Sequence, residues 1–481
     1  MAYGSGTNTS VNTATNNNNI DGLLSTRRWA SNTVTYSFTS NFFNDYEDES
    51  GYPNSATHGN SFETLNATQR AVAREVMQKM FGGVSGLNMV ELTGGNDRNA
   101  TIRIAESNDP RTAYAYYPGG SFAAGDVWFN RTSYNNPVIG NYAYHTFMHE
   151  FGHALGLKHG HELGGVRNVA MNSNRDSMEF SVMTYRSYIN APTDYYRNEA
   201  FGYAQSLMMY DIKAIQEMHG ANYNYNSTNT FYHFSTTTGE MFVNGVGQGT
   251  PGANRIFRTV WDGNGNDSYY FGNYNTNLNI DLSPGGWSDL DVGGNFQRAN
   301  LGDGNYARGH VFNALQHNND SRSLIENAYG GTGDDRISGN NANNFLWGSS
   351  GDDTLVGGSG DDTLVGGAGA DVLNDGVGDD VFKYYRVSES TPISRDTVNL
   401  SRGFDIIDLS AIDSNLNVAG NQAFDFIGAR AFNGLGNGQV RYDAVNNIIQ
   451  AEIQGDRNII VDLEIKSSVS FTSLTASDFI L

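Results

Sequence analysis

The apolar positions of this chain follow one spacing in its first half and another in its second. Val72, Val76 and Met80 recur at four-residue intervals and define one face of a helix opening at Asn66, whose side chain can cap the first turn while Gln69 sits at the third helical position. The pair Gly82-Gly83 is expected to stop that helix. Between Met89 and Asn130 short β-type runs, Thr101-Ile102-Arg103-Ile104 and Val127-Trp128-Phe129 among them, alternate with Gly and Asn turns, which predicts a twisted sheet beside the helix. Further helices are expected over residues 143–155 and from about 207 to 218. These elements make an α+β unit that closes near Asn222.

Beyond that point helical periodicity disappears and Gly, Asn and Asp rise. From Gly330 to Lys383 the chain runs through six consecutive nine-residue frames: GGTGDDRIS, GNNANNFLW, GSSGDDTLV, GGSGDDTLV, GGAGADVLN and DGVGDDVFK. Each is a Gly-rich turn, a carboxylate or amide, and a short strand with one inward apolar residue: Ile337, Leu346, Leu355, Leu364, Leu373 and Phe382. A disordered linker has no need of an apolar residue at every ninth position, so the frames predict a stacked parallel β-roll. After it, Ile449, Ala451 and Ile453 alternate, as do Ile459, Val461, Leu463 and Ile465, with turns at Asn446-Asn447 and Gly455-Asp456. The tail is therefore read as antiparallel β structure.

A chain of 481 residues needs several cores, and the boundaries expected are a disordered segment or propeptide remnant over 1–19, the α+β unit over 20–222, a β linker over 223–329, the roll over 330–383 and a C-terminal β unit over 384–481. Acidic residues outnumber basic ones 51 to 29, for a formal charge of -22, which argues against nucleic acid or an anionic membrane as partner and in favour of bound cations. The absence of cysteine excludes disulfides, thiolate ligands and a thiol nucleophile. No basic segment followed by an apolar run marks an N-terminal secretory peptide, and no membrane-spanning run appears.

The most informative stretch is His149 to His159, which spells H-E-x-x-H-x-x-G-x-x-H. Residues four apart on a helix differ by about 40° in azimuth and about 6 Å along the axis, so His149 and His153 can offer imidazoles to one metal. Gly156 can take the left-handed conformation that ends the helix, after which the chain doubles back and His159 supplies the third nitrogen. Three neutral imidazoles leave a fourth position open, the mark of a catalytic zinc. Glu150, about 100° round the helix from His149, suits a general base and then acid in peptide hydrolysis. Downstream, Ser181-Val182-Met183-Thr184-Tyr185 places Met183 as the hydrophobic floor of the site and Tyr185 as a hydroxyl near metal or oxyanion. His145 and His161 fit no ligand slot and are assigned structural or supporting roles.

With these motifs the chain resembles the serralysins, the metzincin branch of secreted bacterial proteases that carry RTX repeats. The resemblance covers most of residues 34–481 and continues through Asp211-Ile212-Lys213-Ala214-Ile215-Gln216, His219-Gly220-Ala221-Asn222, Trp261-Asp262 with Gly265-Asn266-Asp267, Glu326-Asn327-Ala328, Ile407-Asp408-Leu409-Ser410 and the final Asp478-Phe479-Ile480-Leu481. It departs after His159, where the family usually has Pro-Gly and this chain has Gly160-His161, and before about Thr33. The resemblance implies a multidomain protein, an α+β metzincin (zincin) catalytic domain followed by an all-β domain with the RTX roll. It implies a zinc endopeptidase in which Tyr185 ligates the resting zinc and an edge strand near Ala113 to Tyr117 pairs with extended substrate.

In the roll, stacked turns bring Asp335, Asp353, Asp362, Asp371 and Asp380 together, and their hard oxygens favour calcium. In the family the second, fourth and sixth residues of one loop share an ion with the first, third and fifth of the loop two frames later. That rule pairs Gly331, Gly333 and Asp335 with Gly348, Ser350 and Asp352, and Gly358, Gly360 and Asp362 with Asp375, Val377 and Asp379. It brings in Ser349, Gly351 and Asp353 with Gly366, Ala368 and Ala370, and it leaves Gly357, Ser359 and Asp361 facing the least acidic frame, that of Asn340 and Asn344, whose site is expected to be weaker. Asp405 is added beyond the frames. The resemblance assigns another calcium site to Asp262, Asn264, Gly265 and Asp267 with the backbone of Asn226, Thr228 and Thr230, and a neighbouring one to Glu326.

The roll is then a folding switch, unfolded and exportable in low calcium and folded outside the cell. The terminal acidic residue followed by three apolar ones resembles an uncleaved type I secretion signal, which implies the type I secretion apparatus as a partner, an extracellular location and protein or peptide substrates, and leaves room for a proteinaceous inhibitor; a monomer is the default. The alternative is an RTX calcium-binding adhesin or surface protein with an inert zincin domain. An RTX lipase would need a G-x-S-x-G elbow, which the chain lacks.

Overall fold

A computed structural model describes residues 8–46, 52–401, 403–433, 436–455 and 461–481. The helix opening at Asn66 has a complete capping box: the Asn66 side chain accepts from the Gln69 N–H at 3.0 Å, and Gln69 Oε1 accepts from the Asn66 N–H at 2.7 Å. It runs as an α-helix over Ala67–Arg74, loosens to a π-helix over Glu75–Phe81 and closes in a last turn at Gly82–Val84. The two glycines therefore do not stop it. The wider π turn shifts the buried face, so Val76, Met77 and Phe81 enter the core while Met80 stays half-buried.

The sheet beside this helix has five strands. Thr33–Phe38 lies between Asn88–Glu91 and Ile102–Ser107, parallel to both; Val127–Asn130 is parallel to Ile102–Ser107, and Ala113–Ala115 closes the edge antiparallel to Val127–Asn130. Ile102–Ser107 is buried along its whole length, including Arg103, whose Nε donates to Asp126 Oδ1 at 2.8 Å and whose second guanidinium nitrogen donates to Oδ2 at 2.7 Å. A charge this deep is tolerated because it is paired. The site helix, Tyr142–Leu155, packs on the sheet through Phe147 and Phe151, and Trp29 Nε1 donates to the carbonyl of its Ala154 at 2.9 Å.

Composition predicts disorder up to residue 19, and residues 1–7 lie outside the described residues. From residue 8 on, the segment is ordered. Thr9–Val11 pairs antiparallel with Arg27–Trp29, and Asp21 collects the N–H groups of Thr15 and Asn16 at 2.8 and 3.0 Å. The apolar anchors lie just beyond, at Ile20, Leu23 and Leu24, and the loop they carry accepts from Lys158 N and donates to Gly156 O. Polar ties to a buried carboxylate do here what side-chain burial does elsewhere.

The second half is built on two long sheets of ten and nine strands. Consecutive frames of the repeat alternate between them, so strands eighteen residues apart pair in parallel, as Leu346 with Leu364 and Leu355 with Leu373. All six expected inward residues are fully buried. One apolar column runs Tyr232, Tyr269, Ala328, Leu346, Leu364, Phe382, Ile407, Phe479 from strand to strand, straight through residues 329 and 383.

The tail's antiparallel set, Gln439–Asp443, Ile448–Glu452 and Leu463–Ser467, is present. It is not a separate unit: Leu463–Ser467 joins Asp396–Asn399 in parallel, and Phe479–Ile480 joins Ile406–Asp408 in parallel. Exposed roll edges are thereby covered by the chain's own end. The strand expected around Ile459 and the turn residue Asp456 lie outside the described residues.

Candidate metal and active site

The helix Tyr142–Leu155 ends at Gly156 with φ of +110°, and a Cβ there would stand 2.8 Å from the carbonyl oxygen of Arg27. Only glycine makes that left-handed exit without strain. The exit turns the chain back so that the Nε2 atoms of His149, His153 and His159 lie 3.0 to 3.2 Å from one another. Tetrahedral ligands about 2.05 Å from zinc stand about 3.3 Å apart, so the nitrogen triangle fits that ion.

Each ring is also held from behind. His149 Nδ1 is 2.8 Å from the carbonyl of Val182, and His153 Nδ1 is 2.7 Å from that of Leu157. Donation from Nδ1 leaves the Nε2 lone pairs of these two rings facing inward. His159 Nδ1 stands 3.0 Å from Glu162 Oε1 as a close charge contact. Burial, the largest cause in every case, pushes the imidazoles below their ordinary range, His149 to about 4 and His159 to about 2, so all are neutral donors.

Glu150 sits on the same helix, 6% exposed, with its carboxyl pushed up to about 8 by burial alone and Oε2 without a hydrogen-bond partner. It faces a cleft of about 420 Å³ lined also by His149, Tyr185, Tyr142, His145, Tyr196 and by Thr112 and Ala113 at the sheet edge. Tyr185 stacks on His149 with ring centres 5.6 Å apart and lies 4.3 Å from His159. Burial, assisted by Glu150, raises its phenol and keeps it protonated.

Met183 is fully buried beneath the helix, and a Cβ on Gly152 would meet its sulfur at 2.5 Å. The turn is held by a residue that sequence reasoning gave no role: Asp211, near the start of the helix Met209–His219, accepts from Ser181 Oγ at 2.6 Å and from the Val182 N–H at 2.7 Å. Because Val182 in turn accepts from His149, the carboxylate steers a ring three links away. A single carboxylate in a helix's first turn carries no spacing that marks it in the sequence. His145, four residues before His149, is buried with Nε2 3.2 Å from Tyr196 Oη and lines the cleft.

The carboxylates of the roll form two ladders. Those at the sixth frame position accept from backbone eighteen residues earlier: Asp353 Oδ1 from Asp335 N, Asp371 Oδ1 from Asp353 N, and Asp380 Oδ1 from Asp362 N. Those at the fifth accept from backbone eighteen residues later, as Asp334 from Asp352 N and Asp361 from Asp379 N. The second oxygens of Asp353, Asp362, Asp371, Asp375 and Asp380 are buried with no partner, and burial raises Asp353 to about 8 and Asp362, Asp371 and Asp375 to about 7.

Orphaned buried carboxylate oxygens beside turn carbonyls are the hard donor set that calcium takes. Asp375, Asp380 and Asp405 bring ligand atoms within 4.8 Å of one another, which makes the addition of Asp405 the best clustered of the acidic residues. Asp396, not singled out from sequence, takes the same place one frame away: Oδ1 accepts from Asp371 N at 3.0 Å and Oδ2 is an orphan. The nine-residue count hides both, because each lies 25 residues rather than eighteen after its partner.

In the frame of Asn340 and Asn344 the amides donate to the carbonyls of Ile325 and Glu326 at 2.8 Å, neutral bonds where the other frames place a charge. Upstream, Asp262, Asp267 and Glu326 converge: Asp267 Oδ1 accepts from Thr230 N at 2.7 Å, Glu326 Oε2 from Asp267 N at 2.7 Å, and Asp267 Oδ2 is an orphan. Asn226 and Thr228 turn their carbonyls toward Thr230 Oγ1, and Gly265 packs against Thr228.

Comparison with known proteins finds family models in the second half of the chain and relatives along most of its length. The family model described as Peptidase M10 serralysin C terminal matches residues 353–481, and that of the RTX calcium-binding nonapeptide repeat (4 copies) matches residues 329–364. Metallopeptidase AprA of Pseudomonas marginalis is 32% identical over 300 residues, 60% of this chain and 58% of that protein. The serralysin of Photorhabdus laumondii subsp. laumondii is 34% identical over 413 residues, 83% of this chain and 77% of its own, and that of Photorhabdus sp. (strain Az29) is 34% identical over 462 residues, 93% and 85%. A solved structure, the AlgE6R3 subunit from the Azotobacter vinelandii mannuronan C5-epimerase, aligns at 22% identity over 31% of this chain and 78% of that one with a TM-score of 0.22, too low to bear on the fold.

The class so defined is that of zinc metalloendopeptidases with RTX calcium-binding repeats. Within it, this chain belongs to the serralysin family.

Proposed function

We propose that the chain is a secreted endopeptidase that cleaves extended segments of protein substrates, with His149, His153 and His159 holding zinc, Tyr185 beside them and Glu150 moving the proton. The observation that carries this reading is the triangle of Nε2 atoms 3.0 to 3.2 Å apart beside a buried carboxylate with a free oxygen. Inward lone pairs at that distance repel one another unless a cation lies between them. Bound there, zinc supplies a water whose pKa falls to about 7 and polarises the scissile carbonyl.

The chain's own groups do the rest. Glu150, which lines the cleft with Oε2 unpartnered, takes a proton from the attacking water at that oxygen and returns it to the leaving amine. Tyr185 keeps its phenolic hydrogen and offers it to the oxygen on which charge develops. Among the described residues Ala113–Ala115 is paired on one side only, to Val127–Asn130, and the adjoining Thr112 and Ala113 line the cleft, so an extended substrate can add as the next strand.

The calcium-binding repeats supply the structural ions, with Asp335, Asp353, Asp362, Asp371, Asp375, Asp380, Asp396 and Asp405 as ligands in the roll and Asp262, Asp267 and Glu326 upstream of it. Among the described residues no helix is long and apolar enough to cross a membrane. Export by a type I apparatus and action outside the cell follow the family.

Casein proteolysis decides the matter: activity lost to a zinc chelator in excess calcium and restored by zinc supports the enzyme. Zinc bound with no proteolysis is the result that a binding-only RTX surface protein requires.

A further inference from the structure

We propose that a second cavity, across the three histidines from the cleft at Glu150, is a specificity subsite that takes a large apolar side chain of the substrate. The proposal rests on the reading of the chain as an endopeptidase and deepens it. The cavity, of about 300 Å³, lies between three segments: Ser25 and Thr26 near the start of the chain, Tyr117 and Pro118 beyond the edge strand, and Leu163 in the loop after His159. Thr112 and Ala113, at the other end of the same edge, line the cleft. Between them the chain stays extended through Tyr116, whose N–H donates to the Asp126 carbonyl at 3.0 Å and whose carbonyl accepts from the Gly125 N–H at 3.0 Å. Ala113 to Tyr117 therefore spans about 13 Å, the length of about four substrate residues paired along it.

The three imidazoles stand between the two cavities. The cleft touches His149 and Tyr185, whereas the Tyr117 ring stands edge-on to His153 with centres 5.3 Å apart, and the second cavity is lined by Lys158, the residue before His159, and by Glu162. An extended substrate with its scissile bond at the histidines thus meets one cavity on each side of that bond.

The surface left to a ligand there is apolar, because each charged group at the cavity has a partner within the chain. The Lys158 ammonium donates to the carbonyls of Glu162 at 2.6 Å and Val169 at 3.1 Å, Glu162 Oε1 stands 3.0 Å from His159 Nδ1, and Arg27 turns its guanidinium to Thr9 Oγ1 at 3.0 Å. Leu163 is 70% exposed and Tyr117 41% exposed, and covering these two is the favourable change the cavity has left to make. The loop that carries Leu163 is seated on the segment before it: the Lys158 N–H donates to the Leu23 carbonyl at 2.7 Å, the Val166 N–H to that of Leu24 at 3.3 Å, and a Cβ on Gly165 would stand 2.0 Å from the Leu24 oxygen. Two of the three walls come from the stretches before Thr33 and after His159, where the sequence departs from the serralysin resemblance, so the preference belongs to this chain.

The test is cleavage of a peptide library by the full chain in saturating zinc and calcium, with products sequenced to give the preference at each position on both sides of the cut bond. On the side away from the cleft, one position is expected to favour leucine or phenylalanine over glycine by at least tenfold in kcat/KM. In Leu163→Ser that ratio should fall at least fivefold, while preferences on the cleft side keep their native order. Because Leu163 is exposed, the substitution leaves the fold intact. A native profile flat on that side, or a ratio indifferent to Leu163→Ser, overturns the proposal and leaves the endopeptidase reading standing. Failure to cleave any peptide overturns both.

Discussion

Single atoms decide whether this site works. Asp211 holds Ser181 and Val182, and Val182 holds His149, so Asp211→Asn, which turns an acceptor into a donor toward the Val182 N–H, should loosen the ring. Its expected signature is zinc affinity weakened by about 10- to 100-fold, measured by competition with a chelator, in a protein that still folds. Ser349 makes the opposite case. It sits at φ of +91°, where the corresponding residues two and three frames on, Gly367 and Gly376, also have positive φ. A side chain there costs of order 1 kcal/mol, so Ser349→Gly should raise the calcium-saturated melting temperature of the roll, and a fall would show that Ser349 has a contact worth more than its strain. The zinc motif was legible at this scale because helix geometry and one glycine fix where three rings go. Asp211 and Glu162 were not, since a lone carboxylate in a helix or loop carries no spacing to read.

At the scale of elements, the nine-residue period told the inward residues, the parallel stacking and the acidic lining, whereas the pairing of alternate frames came from the structure. It could not tell where the roll ends, because Asp396 and Asp405 follow their partners after an insertion and the closing strands have no period at all. The helix at Asn66 shows the same limit: its cap was plain in Asn66 and Gln69, whereas the π turn over Glu75–Phe81 comes from packing and not from a local signal. The carboxylates give the roll a pH dependence. Without calcium, burial raises Asp353 and Asp396 to about 8 and Asp362, Asp371 and Asp375 to about 7, above the ordinary value of about 3.9 in an unfolded chain. The folded roll therefore binds protons more tightly than the unfolded one, and this stability is full below about pH 4 and lost as pH rises toward 8. In chelator, far-ultraviolet circular dichroism of the full chain should show more β structure at pH 5 than at pH 8, and calcium should restore it at pH 8. Equal spectra at both pH values in chelator would contradict the assignment.

For the whole molecule, the formal charge of -22 and the stacked carboxylates make folding a matter of which ions are present. The apolar core around the site helix reaches past Asn222 to Phe257, Trp261, Ala299, Leu301 and Phe312, and the roll has a separate core between its two long sheets. Removing calcium while zinc is kept should therefore unfold the roll first. Proteolytic nicking is expected within residues 330–481 before it is seen upstream, and simultaneous loss of both cores would show that they fold as one unit.

The central claim is that three imidazoles grip one ion while Glu150 handles the proton beside it. Zinc analysis and casein proteolysis on Glu150→Gln test it together. One zinc per chain should remain and the rate should fall by at least about 100-fold. A variant that keeps most of its activity, or a native protein that takes up no zinc when the ion is in excess, would contradict it.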